Sequence, residues 1–425
     1  MRPEPATRTT CAIAGGGPAG MFLGLLLARA GIDVTVFEKH ADFLRDFRGD
    51  TVHASTLQLL DELGLGAAFD ALPHSTVRRV EFQSPGIGNV VIGDFGKLPG
   101  RYQHIAMVPQ WDLLDLLSDA AMREPTFHLW MNTEVTGPII DKGKVVGVTY
   151  KTADGETGQL KAALTVAADG RWSPLRTAMG MRPHEFPSPV DVWWFRMSKR
   201  DDDEPSGLRA RITESEMGIT IDRGDNYQIA YLNKKNFDPV LRAEGLDAFR
   251  ARIAKLFPTL ADRTDDIASL DDVKHLDVRV NRLRRWHVDG LLCIGDAAHA
   301  MSPIGGVGIN LAIQDAVGTA TLLAKPLLRN TLRVSDLAKV RRRRWLATCV
   351  VQALQRGLQS GALGPLANGQ NGIFPRLPML LFQKVPALRY LPGYLVAIGP
   401  RPEHAPQFAR RSESPTPTPD RGGTL

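Results

Sequence analysis

Hydrophobic positions along the chain fall into two textures. In the first, short apolar runs end at glycine or aspartate and give way to helical patterns. Residues 11–14 form such a run, followed by a glycine-rich turn, an apolar helical stretch and a second run at 34–37 closed by Glu38. Runs at 159–168 and 291–294 end the same way, at Asp169 and at Gly295-Asp296. Helices are predicted from Thr51 or Ser55 to Gly64, over 108–117 opening with Pro109, over 310–324 stopped by Pro326, and over 334–358. A hairpin is predicted over 133–150, turning at 141–144. The second texture spans about 182 to 283, with strand runs at 192–197, 218–222 and 227–232 and one helix at 246–256. That pattern predicts an antiparallel sheet with a helix, an α+β unit inserted into the first. Strands at 77–82 and 89–93, separated by a Pro-Gly turn, also stand apart from the first texture.

The stretch from Thr10 to Lys39 is a βαβ unit carrying G-x-G-x-x-G at Gly15, Gly17 and Gly20. Gly15 permits the strand-to-helix turn, Gly17 lets the backbone approach a pyrophosphate, and Gly20 and Gly24 let helix and sheet pack closely. The free N–H groups and the positive dipole end of the helix then face the phosphates. Glu38 stands where a carboxylate accepts hydrogen bonds from adenosine ribose hydroxyls. The complete context of strand, helix, strand and acid points to a dinucleotide.

Composition narrows the class. At 425 residues the chain exceeds one ordinary hydrophobic core, so two domains are expected. Cys11 and Cys293 lie in predicted buried strands, Cys349 is distant, and there is no C-x-x-C; the thiols read as packing residues and an oxidising compartment is not indicated. The N-terminus has no apolar core of a signal peptide. The most apolar long stretch, 377–399, is broken by Lys384, Arg389, Pro378, Pro386 and Pro392, so no integral membrane association is expected and the expected location is cytoplasmic. The net charge of +6 has its densest run at 341–344, which reads as a solvated helix face; with no accompanying motif, no nucleic-acid partner is expected. Residues 374–400 are apolar, proline-rich and poorly periodic. The tail, 412–425, is low in complexity and expected to be disordered.

Three further elements turn a dinucleotide into a flavin. Arg48 follows Glu38 in Phe-Arg-Gly-Asp. The pattern D-G-x-x-S-x-x-R runs from Asp169 to Arg176. A strand delivers Asp296 in Gly295-Asp296-Ala297-Ala298-His299, followed by Pro303, Gly305, Gly306, Gly308 and Asn310. With these motifs in this order, the chain resembles the class A FAD-dependent aromatic hydroxylases, the para-hydroxybenzoate hydroxylase-like flavoprotein monooxygenases, in scattered anchors over residues 10–345.

That resemblance implies an α/β fold, a Rossmann-like FAD-binding domain of the glutathione-reductase type with an inserted antiparallel-sheet substrate domain. The FAD-binding domain is expected at 8–74, 106–181 and 284–345, the substrate domain at 75–105 and 182–283, and a C-terminal helical region at 346–411. The resemblance places Gly15, Gly17, Pro18, Ala19 and Gly20 at the pyrophosphate, Glu38 at the ribose and Lys39 and Val135 at the adenine end. It places Arg48 and Gln110 at the flavin and its linker, and Asp169 at both FAD and the pyridine nucleotide. Asp296 falls at the ribityl chain, and Gly306, Gly308, Ile309 and Asn310 at the flavin pyrimidine ring, where negative charge grows on reduction. It implies non-covalent FAD, with NADPH or NADH as a transient co-substrate that has no dinucleotide domain of its own. Dioxygen would be activated as a flavin hydroperoxide and one oxygen atom passed to an electron-rich aromatic or polyketide-like small molecule, with the protein as monomer or homodimer. The cofactor carries the chemistry, so no residue is named catalytic, and no metal is expected. Rival readings on the same scaffold are a flavin-dependent halogenase, whose W-x-W-x-I-P motif is missing because Trp193 and Trp194 are adjacent, and an isoprenoid-type reductase. A non-enzymatic binding protein is disfavoured by the joint presence of Arg48, Asp169 and Asp296.

Other residues invite function. His299 beside Asp296 is expected to cap or pack a helix start. His53 and His104 could reach a pocket, but nothing in the sequence distinguishes them from surface histidines. Strand alternation sends Trp193 and Phe195 to one face and Trp194 and Arg196 to the other, one of which is a candidate lining for the substrate pocket. The acidic run 201–204 reads as a solvated turn.

Overall fold

The computed structural model describes residues 7–44, 51–84, 88–203, 207–213, 216–363, 381 and 384–412. Arg48, parts of the apolar 374–400 stretch and all but the first residue of the expected disordered tail lie outside the described residues.

Two large sheets organise the chain. The first runs in the order His287–Val288, Leu291–Cys293, Thr157–Ala167, Arg8–Ala14, Val34–Phe37, Phe127–Trp130. Four of the five junctions in this order are parallel, and only the first is antiparallel. The antiparallel hairpin Thr133–Asp141 and Lys144–Thr152 is joined to it through Thr157–Ala167. The central runs are apolar throughout because the helices Pro18–Arg29, Gln110–Met122 and Val307–Leu328 share one core with them, leaving no side for alternation to favour. Cys11 and Cys293 are fully buried in this sheet. Ile304–Leu328 is the one helix among the described residues long and apolar enough to cross a membrane, and 78% of its apolar window is buried inside the protein.

The second sheet has seven strands: Lys274–Leu276, Val190–Ser198, Asn226–Lys234, Met217–Asp222, Leu208–Ile212, Arg79–Ser84 and Gly88–Asp94. On one face Trp193, Phe195 and Tyr231 pack against Phe249 and Ile253 of the helix Leu246–Leu256. Its other face carries Val192, Ala210, Ala230 and Leu232, with Trp194 and Ile304 packed against them. Ile304 belongs to the glycine-rich bend before the long helix, so this face looks toward the first sheet's strand ends.

Several local expectations are corrected. The helix expected to begin at Thr51 or Ser55 runs Ala54–Glu62, because Thr51 pairs with Met107 in a small three-stranded sheet. His53 occupies the cap position and is 1% exposed, not a surface residue. Pro326 does not stop its helix, which continues to Leu328: a proline forfeits only its own N–H bond, and the next turn still closes through Arg329 N to Lys325 O. In the acidic run, Asp203 is no free solvated carboxylate, because it takes a two-pronged contact from the buried Arg263 guanidinium, which holds it well below the usual carboxylate range.

The C-terminal stretch lies back over the first core. Arg29 Nη1 donates to Ala409 O at 2.9 Å, and Glu62 receives His404 Nδ1 and Ala405 N, each at 2.7 Å.

Candidate active site at the parallel strand ends

Backbone hydrogen bonds bring the motifs to one edge of the first sheet. Gly15 N bonds Phe37 O at 2.8 Å, Ala168 N bonds Ala14 O at 2.8 Å, and Ile294 N bonds Ala167 O at 3.0 Å. The residues that follow these strands therefore emerge side by side: Gly15, Glu38, Asp169 and Asp296. The crevice beyond the carboxyl ends of parallel strands is where such sheets bind ligands.

The glycines of the first motif divide their roles. Gly15 has φ +105°, and a Cβ there would stand 2.4 Å from Ala168 O. A Cβ on Gly20 would stand 1.9 Å from Gly15 O, and one on Gly24 2.7 Å from the Phe127 ring. Both let the helix sit close. Gly17 differs: a Cβ there would meet nothing within 4 Å. It caps the helix Pro18–Arg29, which has Pro18 in its first turn, no acidic residue there and no side-chain cap. The space in front of these N–H groups, kept clear by Gly17 and flanked by Ala19, has the polarity and shape to take a phosphate.

Glu38 is 6% exposed and held by two backbone donors, Gly16 N to Oε2 at 3.0 Å and His40 N to Oε1 at 3.1 Å. Thr133 N bonds Glu38 O at 2.8 Å, which docks the start of the hairpin strand carrying the buried Val135 beside this carboxylate. Lys39 is exposed next to it. Gln110 opens the helix Gln110–Met122 and is half-buried.

The Asp169 carboxylate is buried at its strand end; the Ser173 hydroxyl and the N–H groups of Asp169 and Leu175 face it, but burial outweighs them and pushes its pKa up to about 6. A buried carboxyl with a raised pKa at a strand end marks a candidate functional position. The rest of its motif has a mechanical role. Ser173 caps the helix Pro174–Ala178 by accepting from Arg176 N at 3.1 Å. The Arg176 guanidinium then donates to Ala297 O at 3.0 Å and Arg171 O at 2.6 Å, fastening this loop to the turn that carries Asp296. Arg171 Nη2 stands 3.6 Å from Asp296 Oδ2, whose side chain is 34% exposed.

The glycine-rich bend closes the site. Gly305 and Gly306 have φ +77° and +62°, and a Cβ on Gly306 would stand 2.2 Å from Thr51 Oγ1. The helix Val307–Leu328 begins there, so the N–H groups of Val307, Gly308 and Ile309 have no intrahelical acceptor. Asn310 acts through its side chain as well as its backbone. Its amide donates to Thr51 O and Gly306 O at 3.1 and 3.2 Å and accepts from His53 N and Thr56 Oγ1 at 3.0 and 2.7 Å. His53 stays neutral over a wide range because burial pushes it down to about 4. His299 is 1% exposed and faces Asp315, a packed position rather than an open one. His104 is half-buried, away from these bonds. Among the described residues no group of three His, Cys, Asp or Glu is placed to hold a metal.

Sequence reasoning found the strand ends and missed the ties between them. The Ser and Arg of D-G-x-x-S-x-x-R were visible as a pattern, but Arg176 meets Ala297 across 121 positions of sequence.

Comparison with known proteins agrees with this architecture. The profile of the FAD binding domain family matches residues 8–352. The 6-methylpretetramide 4-monooxygenase of Streptomyces rimosus is 34% identical over 362 residues, covering 80% of this chain and 82% of that protein. The rifampicin monooxygenase of Streptomyces venezuelae is 27% identical, covering 73% of this chain and 63% of its own length. The solved structure of the OxyS anhydrotetracycline hydroxylase from Streptomyces rimosus shares the fold, with a TM-score of 0.71 at 23% identity over 92% of this chain and 76% of that one.

Proposed function

The chain belongs to the FAD binding domain family, among the class A FAD-dependent aromatic hydroxylases, and from that membership we propose that it is a monooxygenase that uses NAD(P)H and dioxygen to hydroxylate an aromatic polyketide-like small molecule. The observation that carries the reading is the convergence of the Gly17 clearing, Glu38, the buried Asp169 and Asp296 at one sheet edge.

In this reading the N–H groups of Gly17, Ala19 and Gly20 hold the FAD pyrophosphate, with Pro18 opening the helix and Gly15 shaping the turn. Glu38 takes the ribose, and Lys39 and Val135 border the adenine. Asp296 takes the ribityl hydroxyls. Arg48 and Gln110 serve the flavin and its linker, and Asp169 the cofactor and the incoming pyridine nucleotide. The free N–H groups at Val307, Gly308 and Ile309, bent into place by Gly306 and fixed by Asn310, stabilise negative charge at the pyrimidine edge. FAD supplies two-electron chemistry with NAD(P)H and the activation of dioxygen. The chain's own contribution is orientation and dryness: Val192, Ala230 and Leu232 form an apolar sheet face against which Trp194 and Ile304 pack, and a flat aromatic substrate bound beside Trp194 and Ile304 would be shielded from water.

The partners are then small molecules, and the protein a cytoplasmic monomer or homodimer. The arginine run supports the lack of a nucleic-acid track: Arg343 and Arg344 turn inward onto Glu403, and Arg341 lies over the Trp345 ring at 4.0 Å.

The test is a turnover screen. FAD-loaded protein is given NADPH or NADH and a panel of aromatic polyketides that includes 6-methylpretetramide, under oxygen-18 gas. Coupled nucleotide consumption and a product carrying one heavy oxygen are expected. Product without heavy oxygen reopens the reductase, and halide-dependent product the halogenase.

A further inference from the structure

Beneath the turn that delivers Asp296 lies a buried chain of charges that none of the flavin motifs includes. Asp315, fully buried in the long helix, accepts three hydrogen bonds: from Gly295 N at 3.1 Å, from His299 Nε2 at 2.6 Å and from Arg344 Nε at 3.1 Å. Arg344 is 1% exposed and its other arm reaches Glu403 Oε1 at 3.2 Å and Arg401 O at 3.1 Å. Glu403 is itself buried and takes three more bonds from Arg343 at 2.7–2.9 Å, while its N–H is accepted by the Gln314 side chain. Gly318 makes room: a Cβ there would stand 3.2 Å from Arg344 Cδ.

Such a network is a costly way to fill a core. Desolvating two carboxylates and two guanidiniums consumes most of what their attraction returns, and apolar side chains of equal volume would stabilise as well. What apolar side chains cannot do is fix a backbone N–H in direction. Asp315 does this at Gly295, a residue at φ +57° whose neighbour is Asp296. Burial works against the Asp315 charge, but His299 and Arg344 outweigh it and hold the carboxyl below its ordinary range, so it stays an acceptor. Arg344 in turn is oriented by Glu403, on the stretch of chain that returns over the core after the last helix.

We propose that Asp315 is the positioning residue of the Asp296 turn, and that Glu403, acting through Arg344, makes the C-terminal stretch 401–405 a working part of the FAD site. The proposal rests on the reading of Asp296 as a ribityl contact. It assigns a role in cofactor affinity to residues that touch no cofactor.

The experiment compares apoprotein and FAD-loaded protein. FAD affinity is measured by fluorescence titration, and the melting temperature with and without saturating FAD. Glu403→Gln is expected to weaken FAD by about tenfold, the consequence of one charged hydrogen bond lost from the chain, and to shrink the rise in melting temperature that FAD produces. Arg343→Gln, at the half-exposed end of the chain, is the milder variant that keeps the test open if Glu403→Gln does not fold; it is expected to weaken FAD by about threefold. Glu62→Gln is the control. It cuts the stretch's other anchor, at His404 and Ala405, without touching Arg344, and FAD affinity is expected to stay within about twofold. Equal falls in apo and holo melting temperature at unchanged affinity would reduce the network to a structural brace and overturn the proposal. So would Glu62→Gln weakening FAD as much as Glu403→Gln. Wild-type protein that binds no FAD would instead defeat the functional reading beneath it.

Discussion

Gly17 and Gly20 lie three positions apart in one motif, yet substitution at each has a different consequence. A Cβ on Gly17 meets nothing and its backbone is extended (φ −75°), so Gly17→Val should leave apoprotein stability within about 0.5 kcal/mol while weakening FAD at least ~10-fold, because the methyls occupy the phosphate space. Gly20→Ala drives a methyl into Gly15 O and should cost about 3 kcal/mol of stability before any cofactor is added. Denaturant titration of both apoproteins with FAD titration of the folded one checks the pair; Gly17→Val with unimpaired FAD affinity would remove the pyrophosphate assignment. Asp169 offers a pH test. Its folded pKa of about 6 lies above the ordinary carboxyl value of 3.8. The native state therefore binds more protons between those values, and stability is lost as pH rises through that window. Above it the charged form costs up to about 3 kcal/mol, so Asp169→Asn apoprotein should be more stable than wild type at pH 7.5, with the difference vanishing near pH 4. The variant difference is the right quantity, because His53, depressed from 6.5 to about 4, loses stability in the opposite direction as pH falls. A difference that does not change with pH would show that burial does not raise the Asp169 carboxyl.

Among elements, the strand Val190–Ser198 settles which tryptophan does what. Trp193 is fully buried, donates to Asp238 at 2.8 Å and stacks on His275 at 5.0 Å, so it belongs to the sheet-helix core. Trp194 points to the apolar wall opposite Ile304 with its indole N–H buried and without a partner among the described residues. Trp193→Phe should cost about 1–3 kcal/mol by denaturant titration, for a lost hydrogen bond and stack. Trp194→Phe should leave stability within about 1 kcal/mol and raise the substrate KM several-fold at nearly unchanged kcat; the reverse pattern would exchange the two assignments. Alternation in the sequence separated these side chains into two faces but did not say which face looked toward the strand ends, because that depends on where the helix Leu246–Leu256 docks. That helix and Val334–Leu358 were legible to the residue, since their periodicity is local. The start at Ala54 was not, because it is set by Thr51 pairing with Met107, a partner in another part of the chain. The same division holds in the site. Glycine turns and strand-end acids are written locally; Arg171 against Asp296, Arg176 against Ala297 and Asp315 beneath Gly295 exist only once the sheet has formed.

At the scale of the whole molecule, the chain carries one dinucleotide βαβ unit, whereas the proposed reaction uses two nucleotides. The seven-stranded sheet packs its apolar face over Ile304, beside the bend at Gly305 and Gly306 where the flavin ring is proposed to lie. That wall suits oxygen transfer to a flat substrate, because it excludes water and charge. It does not suit delivery of hydride from NADPH, whose phosphates carry several negative charges and cannot be buried against Val192 and Leu232 without large desolvation cost. The nicotinamide must therefore approach from the open side, near Asp169 and the half-exposed Asp296, and the ring or its cover must shift to meet it. Substrate filling the apolar wall is the event able to drive that shift, through its differential affinity for the two arrangements. Anaerobic stopped-flow reduction of FAD-loaded protein by NADPH should accordingly be at least ~10-fold faster with a substrate identified in the turnover screen than without it, a coupling of about 1.4 kcal/mol. The coupling should weaken in Trp194→Phe, whose wall is altered, and persist in Glu62→Gln, whose change lies behind the core. Equal reduction rates with and without substrate in the wild-type protein would mean that the nicotinamide reaches a ring already at the surface, and the sheet face over Ile304 would then need another purpose.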